Sequence, residues 1–156
     1  MNIHDYLIEH DEFDWAALLE EWRWLLPAEF TVRLLTRAGD LFIELPDGSV
    51  HLLEVGAGEL RRVADCHDDA RSMLPRPEVA HDWLMMPVID QLVASGRVLG
   101  PGQCYGFRLL PVLGGGYRAQ DRVVLPIREH FGACGSLHRQ IADLPDGAQV
   151  KIEVTE

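Results

Sequence analysis

The run LGPGQCYGFRLLPVLGGGY at residues 99–117 contains six glycines and one cysteine, Cys104. Glycine-rich turns bind phosphate in nucleotide-binding folds, but that fingerprint requires G-x-G-x-x-G followed by a helix. Here Gly100, Gly102 and Gly106 are spaced one residue too far apart, and a strand-like sequence follows them. We therefore predict that these glycines form loop corners and do not bind phosphate.

Cys104 could act as a nucleophile only if a nearby base lowered the pKa of its thiol. One of the seven histidines could serve as that base, yet no nucleophile signature surrounds this cysteine. A buried, unreactive thiol at the entry to a strand is the favoured interpretation. The alternative is a small metal- or thiol-dependent enzyme, or a ligand-binding protein, that uses the 99–117 loop.

His130, Cys134 and His138 are spaced four residues apart, so on a helix they would share one face. This trio resembles half of a zinc site, but no fourth ligand is evident nearby. Gly132 and Gly135 lie between the three residues and are expected to break the helix. We therefore predict surface or helix-capping histidines, with no metal, no cofactor and no catalytic residue.

Acidic residues dominate the charge of the chain. There are 25 acidic residues against 14 basic ones, which gives a formal net charge of −11, and Lys151 is the one lysine. Nucleic-acid binding needs clustered basic residues and anionic membranes repel acidic surfaces, so both are disfavoured as partners. The two acidic clusters are Asp5, Glu9, Asp11, Glu12 and Asp14 near the N-terminus, and Asp65, Asp68 and Asp69 in mid-chain.

The spacing of apolar residues predicts several helices. The segment DWAALLEEWRWLL at 14–26 repeats its apolar residues along one helical face, and Asp14 is a suitable N-cap. Trp24 falls on the polar side of this helix, where its side chain is either covered by a second layer of the protein or exposed for a partner. Burial within the protein is favoured, because large aromatic side chains are mostly buried. The other predicted helices cover 66–74, 78–95 with a kink or restart at Pro87, and 127–144.

Short strands rich in β-branched and aromatic residues alternate with these helices. They are predicted at 31–36, 41–45, 49–55, 59–65, 122–127 and 148–154, with one more after Cys104. Pro46, Asp47 and Gly48 predict a tight hairpin, and a hairpin requires antiparallel pairing. The predicted fold class is α+β. It is a single domain over residues 1–156, with an antiparallel sheet of about five or six strands and helices packed against it.

Three segments together resemble a known family. They are DLFIELPDGSVHLLEVGAGELRRVAD at 40–65, DWLMMPVIDQLVASGRVLGPGQCYGF at 82–107 and PVLGGGY at 111–117. They look like the C-terminal domain of Tdi-type immunity proteins of type VI secretion systems, and the resemblance extends over about residues 12–154. Its motif positions look structural and not catalytic; they are Gly102, Gln103, Tyr105, Gly106, Gly114 and Gly115.

The resemblance implies a non-enzymatic antidote that binds a co-expressed toxin, often a nuclease, and blocks it. A nuclease carries basic residues that grip phosphate, so an acidic protein would be steered towards it. The expected contacts are Asp65, Asp68 and Asp69 or the N-terminal acidic residues, with Trp24 as an aromatic anchor. The N-terminus lacks the basic and apolar pattern of a secretory signal, so a cytoplasmic location is expected.

Overall fold

The computed structural model describes residues 3–142, which contain a five-stranded antiparallel sheet, a separate two-stranded sheet and five α-helices. The larger sheet consists of β1 (Leu7–Ile8), β2 (Thr31–Thr36), β3 (Leu41–Glu44), β4 (Val50–Glu54) and β5 (Glu59–Ala64), in chain order. The smaller sheet pairs β6 (Gln103–Phe107) with β7 (Arg122–Pro126). The helices are α1 (Trp15–Leu18), α2 (His67–Met73), α3 (Pro77–Leu84), α4 (Met86–Ala94) and α5 (Ile127–Ile141). The predicted α+β class is confirmed, whereas the strand predicted at 148–154 lies outside the described residues.

Each of the three hairpin turns between β2 and β5 contains a glycine with positive φ. These glycines are Gly39 at 84°, Gly48 at 89° and Gly58 at 68°. In the second turn, the Gly48 N–H donates to the Leu45 carbonyl at 2.8 Å, and the Asp47 carboxylate accepts the Ser49 backbone N–H at 2.9 Å. The hairpin predicted from Pro46, Asp47 and Gly48 is confirmed, because local turn chemistry determines it.

Helices cover both faces of the larger sheet. On one face Phe42 packs against Trp83 of α3, with ring centroids 5.4 Å apart. On the other face Leu41 and Ile43 belong to the same buried cluster as Phe131 of α5. Because β3 is buried on both sides, its sequence is almost continuously apolar and does not alternate.

The helical stretch predicted at 78–95 is two helices, α3 and α4. Met85 separates them in a left-handed conformation with φ 51° and ψ 44°. Pro87 lies in the first turn of α4, where a missing backbone N–H costs no helical hydrogen bond. The predicted restart at Pro87 is therefore confirmed.

The single helix predicted at 14–26 is wrong. The chain forms the short helix α1, turns at Leu19 and continues as a 3₁₀ turn over Glu20–Trp22. The turn inserts Trp22 into the core, where its indole N–H donates to the Phe131 carbonyl at 2.8 Å. Packing against α5 outweighs the helical pattern of the isolated segment.

The predicted breaks in the last helix are also wrong, because α5 is continuous through Gly132 and Gly135. Gly135 allows a close approach between helix and core, since a Cβ atom there would lie 2.7 Å from Trp22 Nε1. The helix is stabilised by burial of its inner face, which offsets the low helix propensity of glycine.

Candidate functional site

The first part of the glycine-rich run fixes the entry into β6. Gly102 adopts a φ of 71°, and the Gln103 side-chain oxygen accepts the Gly100 N–H at 2.7 Å. Tyr105 is buried, and its hydroxyl donates to the Arg97 carbonyl. These intramolecular contacts fix the turn at residues 100–103 and the start of β6.

The other glycines of the run lie where a side chain would collide or strain the backbone. A Cβ atom on Gly106 would lie 2.5 Å from Leu125, and one on Gly115 would lie 1.9 Å from the Leu109 carbonyl oxygen. Gly114 ends a short 3₁₀ turn with a φ of 100°. In the structure, these motif positions therefore shape the backbone.

The two thiols nearest the centre of the fold are buried. Cys104 lies in β6 with no exposed surface, and burial raises the pKa of its thiol far above the usual range. Burial also raises the pKa of Cys134 to about 12. Both residues are free thiols that stay protonated near neutral pH, which is unfavourable for nucleophilic chemistry.

His130, Cys134 and His138 share the inner face of α5, but the prediction that the histidines are surface or capping residues is wrong. His130 Nε2 donates to the Gly39 carbonyl and His138 Nε2 to the Val55 carbonyl, each at 2.9 Å. Burial lowers the pKa of His130 to about 4, so its ring is neutral. No group of three or more His, Cys, Asp or Glu side chains in the described part of the chain is arranged to hold a metal ion.

Arg122 is a buried cation that the sequence analysis did not single out. It is 1% exposed, and its Nη1 lies 3.4 Å from the carbonyl oxygens of Ala38 and Tyr105. Its guanidinium carbon lies 4.0 Å from the centroid of the Phe107 ring. The side chain therefore links the two sheets. The sequence signal that could have identified this buried cation is an arginine at the start of the apolar strand RVVLP.

A small pocket of about 250 Å³ also escaped the sequence analysis. It is lined by Asp40, Glu54, Asp82 and Tyr117, among others. Asp40 accepts a backbone N–H at 3.0 Å, and burial raises the pKa of its carboxyl group to about 6. Arg61 pairs with Glu54 at 2.9 Å and with Asp82 at 3.6 Å, so the chain's own cation already balances two of these carboxylates.

The predicted partner residues Asp65, Asp68 and Asp69 are exposed beside β5 and at the start of α2. Asp65 pairs with Arg62 at 3.0 Å, which reduces the charge that it presents. Asp68 and Asp69 lie in the first turn of α2, where carboxylates interact favourably with the helix dipole.

Trp24, the predicted aromatic anchor, is 38% exposed. Its ring stacks on that of buried Trp22, with centroids 6.0 Å apart. One side of the Trp24 ring is therefore exposed. Trp24 follows the 3₁₀ turn that packs against α5, whereas Asp65, Asp68 and Asp69 lie beside β5 and in α2.

Two large grooves meet at His10 and Asp11, which line both of them. The helix groove has a volume of about 1040 Å³, and its apolar lining includes Trp15, Leu19, Leu26, Phe30 and Val32. The strand groove has a volume of about 1020 Å³, and its apolar lining includes Leu7, Ile8, Leu34, Val93, Val98 and Tyr105. Sequence reasoning missed the strand groove because its walls come from residues 4–11, 34–37 and 93–105, which are distant in the chain. It missed the helix groove, which residues 10–32 line, because 14–26 within that segment was predicted to be one long helix.

The N-terminal acidic segment, residues 3–14, forms part of both grooves. Its five carboxylates are exposed; they are Asp5, Glu9, Asp11, Glu12 and Asp14. Asp14 caps α1 by accepting the Ala17 N–H at 3.3 Å, and Asp11 lies 3.4 Å from His10. Among residues 3–142, none of these carboxylates pairs with an arginine. The segment therefore presents negative charge that no arginine of the described residues neutralises by an ion pair.

Comparison with known proteins adds one finding. A family model described as T6SS immunity protein Tdi1, C-terminal, matches residues 71–138, which run from α2 into the last part of α5. No curated protein matches the chain. Within the described residues, no helix has the length and apolar character needed to cross a membrane. The resemblance predicted from the sequence is thus confirmed: residues 71–138 match the C-terminal domain family of the type VI secretion immunity protein Tdi1.

Proposed function

We propose that this protein is an immunity protein that binds a type VI secreted toxin and blocks it by occupying its surface. The observation that carries the proposal is the family match over residues 71–138, because that family is one of type VI immunity proteins. The matched segment includes the glycine-rich run, whose contacts in this structure are with the chain itself. The protein then acts as a rigid binding surface.

A non-enzymatic role agrees with the state of the reactive side chains. A thiol-dependent enzyme at the 99–117 loop would need an accessible thiolate, but Cys104 is buried with a raised pKa. His130 already donates to a backbone carbonyl and is neutral because burial lowers its pKa. We therefore favour binding over the alternative of a thiol- or metal-dependent enzyme.

The charge of the chain supports a basic toxin as the partner, and a nuclease in particular. Nucleases grip phosphate with lysine and arginine, and a protein with a net charge of −11 associates rapidly with such a surface. The same charge opposes direct binding to nucleic acid or to anionic membranes. A nuclease acts where nucleic acid is found, so we place the complex in the cytoplasm.

Co-expression tests this proposal. A candidate type VI toxin is induced in a sensitive bacterium with and without this protein, and survival and co-purification are both measured. We expect growth to be restored and the two proteins to elute together. Growth arrest despite a folded, abundant protein would contradict the proposal. A toxin from an unrelated family serves as the negative control.

A further inference from the structure

We propose that the strand groove receives an amphipathic segment of the toxin that bears lysine or arginine side chains. This inference rests on the proposed function and assigns a surface to it. The occupant is a protein segment with apolar residues on one side and basic residues on the other.

The apolar side of the occupant is matched by exposed apolar residues of the groove. Val98 is 72% exposed and Val93 is 47% exposed, and both line the groove together with Leu34 and Tyr105. Single exposed apolar residues are common on protein surfaces and need no explanation. Apolar side chains that are exposed together in one groove are instead typical of a contact surface. Covering Val98 and Val93 would remove apolar surface from water.

The basic side of the occupant is matched by the acidic wall. Glu9 and Asp11 line the groove, and the adjoining carboxylates belong to the same N-terminal acidic segment. His4 and His10 also line it, and Arg37 is its one arginine within the described residues. The Arg37 side chain is held by the carbonyl of Leu7 at 3.3 Å, so it is directed to the protein's own backbone.

Two other acidic surfaces are weaker candidates because arginines lie among their carboxylates. Asp65 is paired with Arg62, and Arg76 lines the same shallow depression. In the small pocket, Arg61 bridges Glu54 and Asp82. The strand groove differs because neither Glu9 nor Asp11 forms an ion pair with an arginine of the described residues, and both lie in one groove with exposed apolar side chains.

The two walls of the groove differ in their relation to the family. The part of the apolar wall at residues 93–105 lies inside the matched segment 71–138. The apolar residues Leu7, Ile8 and Leu34 and the acidic wall at residues 4–11 lie outside it. The matched segment therefore supplies part of the apolar wall, whereas the N-terminal segment supplies both lining carboxylates, Glu9 and Asp11. This division assigns partner selectivity to the acidic wall.

A charge-matched pair of variants tests the acidic wall. Glu9→Gln combined with Asp11→Asn removes two charges from the groove, and Asp68→Asn combined with Asp69→Asn removes two charges from α2. The probes are the toxin identified by co-expression and a helical peptide with leucine on one face and lysine on the other. We expect the groove pair to weaken the binding of both probes about tenfold at low salt, and the α2 pair less than about twofold.

A second matched pair tests the apolar wall. Val98→Ser alters the groove, whereas Val112→Ser alters a residue that is 52% exposed and lines neither groove. We expect Val98→Ser to weaken binding about fivefold and Val112→Ser to leave it unchanged. Both valines are exposed, and thermal unfolding of each variant checks that the fold is retained.

The outcomes separate this inference from the proposed function. If the toxin binds and the groove variants lose affinity while their controls do not, the inference is supported. If the toxin binds but groove and control variants behave alike, the inference is overturned and the immunity function stands. If the wild-type protein neither binds nor blocks the toxin, the proposed function fails and takes this assignment with it.

Discussion

Gly132 and Gly135 both lie inside α5, and replacing each with alanine should change stability in opposite directions. A Cβ atom on Gly132 would meet nothing within 4 Å. Alanine is the better helix former, so Gly132→Ala should raise the free energy of unfolding by about 1 kcal/mol. The same gain in helix propensity is available at Gly135, but there the surroundings oppose it.

At Gly135 the added methyl group would lie 2.7 Å from Trp22 Nε1 and 2.9 Å from the Glu21 carbonyl oxygen. Relief requires α5 to move away from the 3₁₀ turn, which also endangers the hydrogen bond from Trp22 to Phe131. Overpacking costs about 1–3 kcal/mol and a weakened hydrogen bond about 1 kcal/mol. After the gain in propensity is subtracted, Gly135→Ala should lower the free energy of unfolding by about 2 kcal/mol.

Urea unfolding followed by tryptophan fluorescence measures both changes, because Trp22 lies at the contact. The two variants should differ by about 3 kcal/mol, with wild type between them. A Gly135→Ala protein as stable as wild type would refute the packing of Trp22 against α5. A destabilised Gly132→Ala protein would refute the open surroundings of that position.

Four further predictions concern buried polar groups. Because burial lowers the His130 pKa from 6.5 to about 4, its contribution to stability is complete above pH 6.5 and falls by up to about 3 kcal/mol as the pH drops to 4. The raised pKa of Asp40 acts in the opposite direction, so urea titrations of Asp40→Asn should show a steeper loss between pH 6 and 4 than wild type, and an equal slope would contradict this. Arg122→Lys should lower the free energy of unfolding by about 2 kcal/mol in urea, because an ammonium group cannot reproduce the planar contacts with the carbonyls and the aromatic ring. Tyr105→Phe should cost about 1 kcal/mol in the same assay, since it leaves the Arg97 carbonyl without its donor, and an unchanged midpoint would argue against that hydrogen bond.

The central strands could be predicted because their signals are local. Pro46, Asp47 and Gly48 determine a turn within a few residues, and the flanking segments are short and β-branched. The restart at Pro87 is local in the same sense, since a proline cannot donate a backbone hydrogen bond inside a helix. Such features need no knowledge of distant parts of the chain.

The early end of the first helix and the continuity of the last helix could not be predicted, because each depends on the contact between them. The indole of Trp22 binds the carbonyl of Phe131, which is 109 residues away in sequence. That contact shortens the first helix and requires a small residue at Gly135. A periodic pattern within either segment alone carries no information about this pairing.

The candidate site was only partly accessible from the sequence. The two acidic clusters are visible as composition, but pairing with Arg62 distinguishes Asp65 from Asp11 only in three dimensions. The strand groove brings together β1, β2, the end of α4 and the loop before β6, so Val93 and Val98 carry no signal in their own segments. Burial of Arg122 is likewise a consequence of tertiary packing.

The central claim is that the protein blocks its toxin by binding and not by turnover. The most direct measurement is a titration of purified toxin activity with increasing amounts of this protein. A binding mechanism predicts that activity falls linearly and reaches zero near one immunity protein per toxin. Complete and progressive loss of activity at a small fraction of that ratio would show a catalytic mechanism and contradict the account.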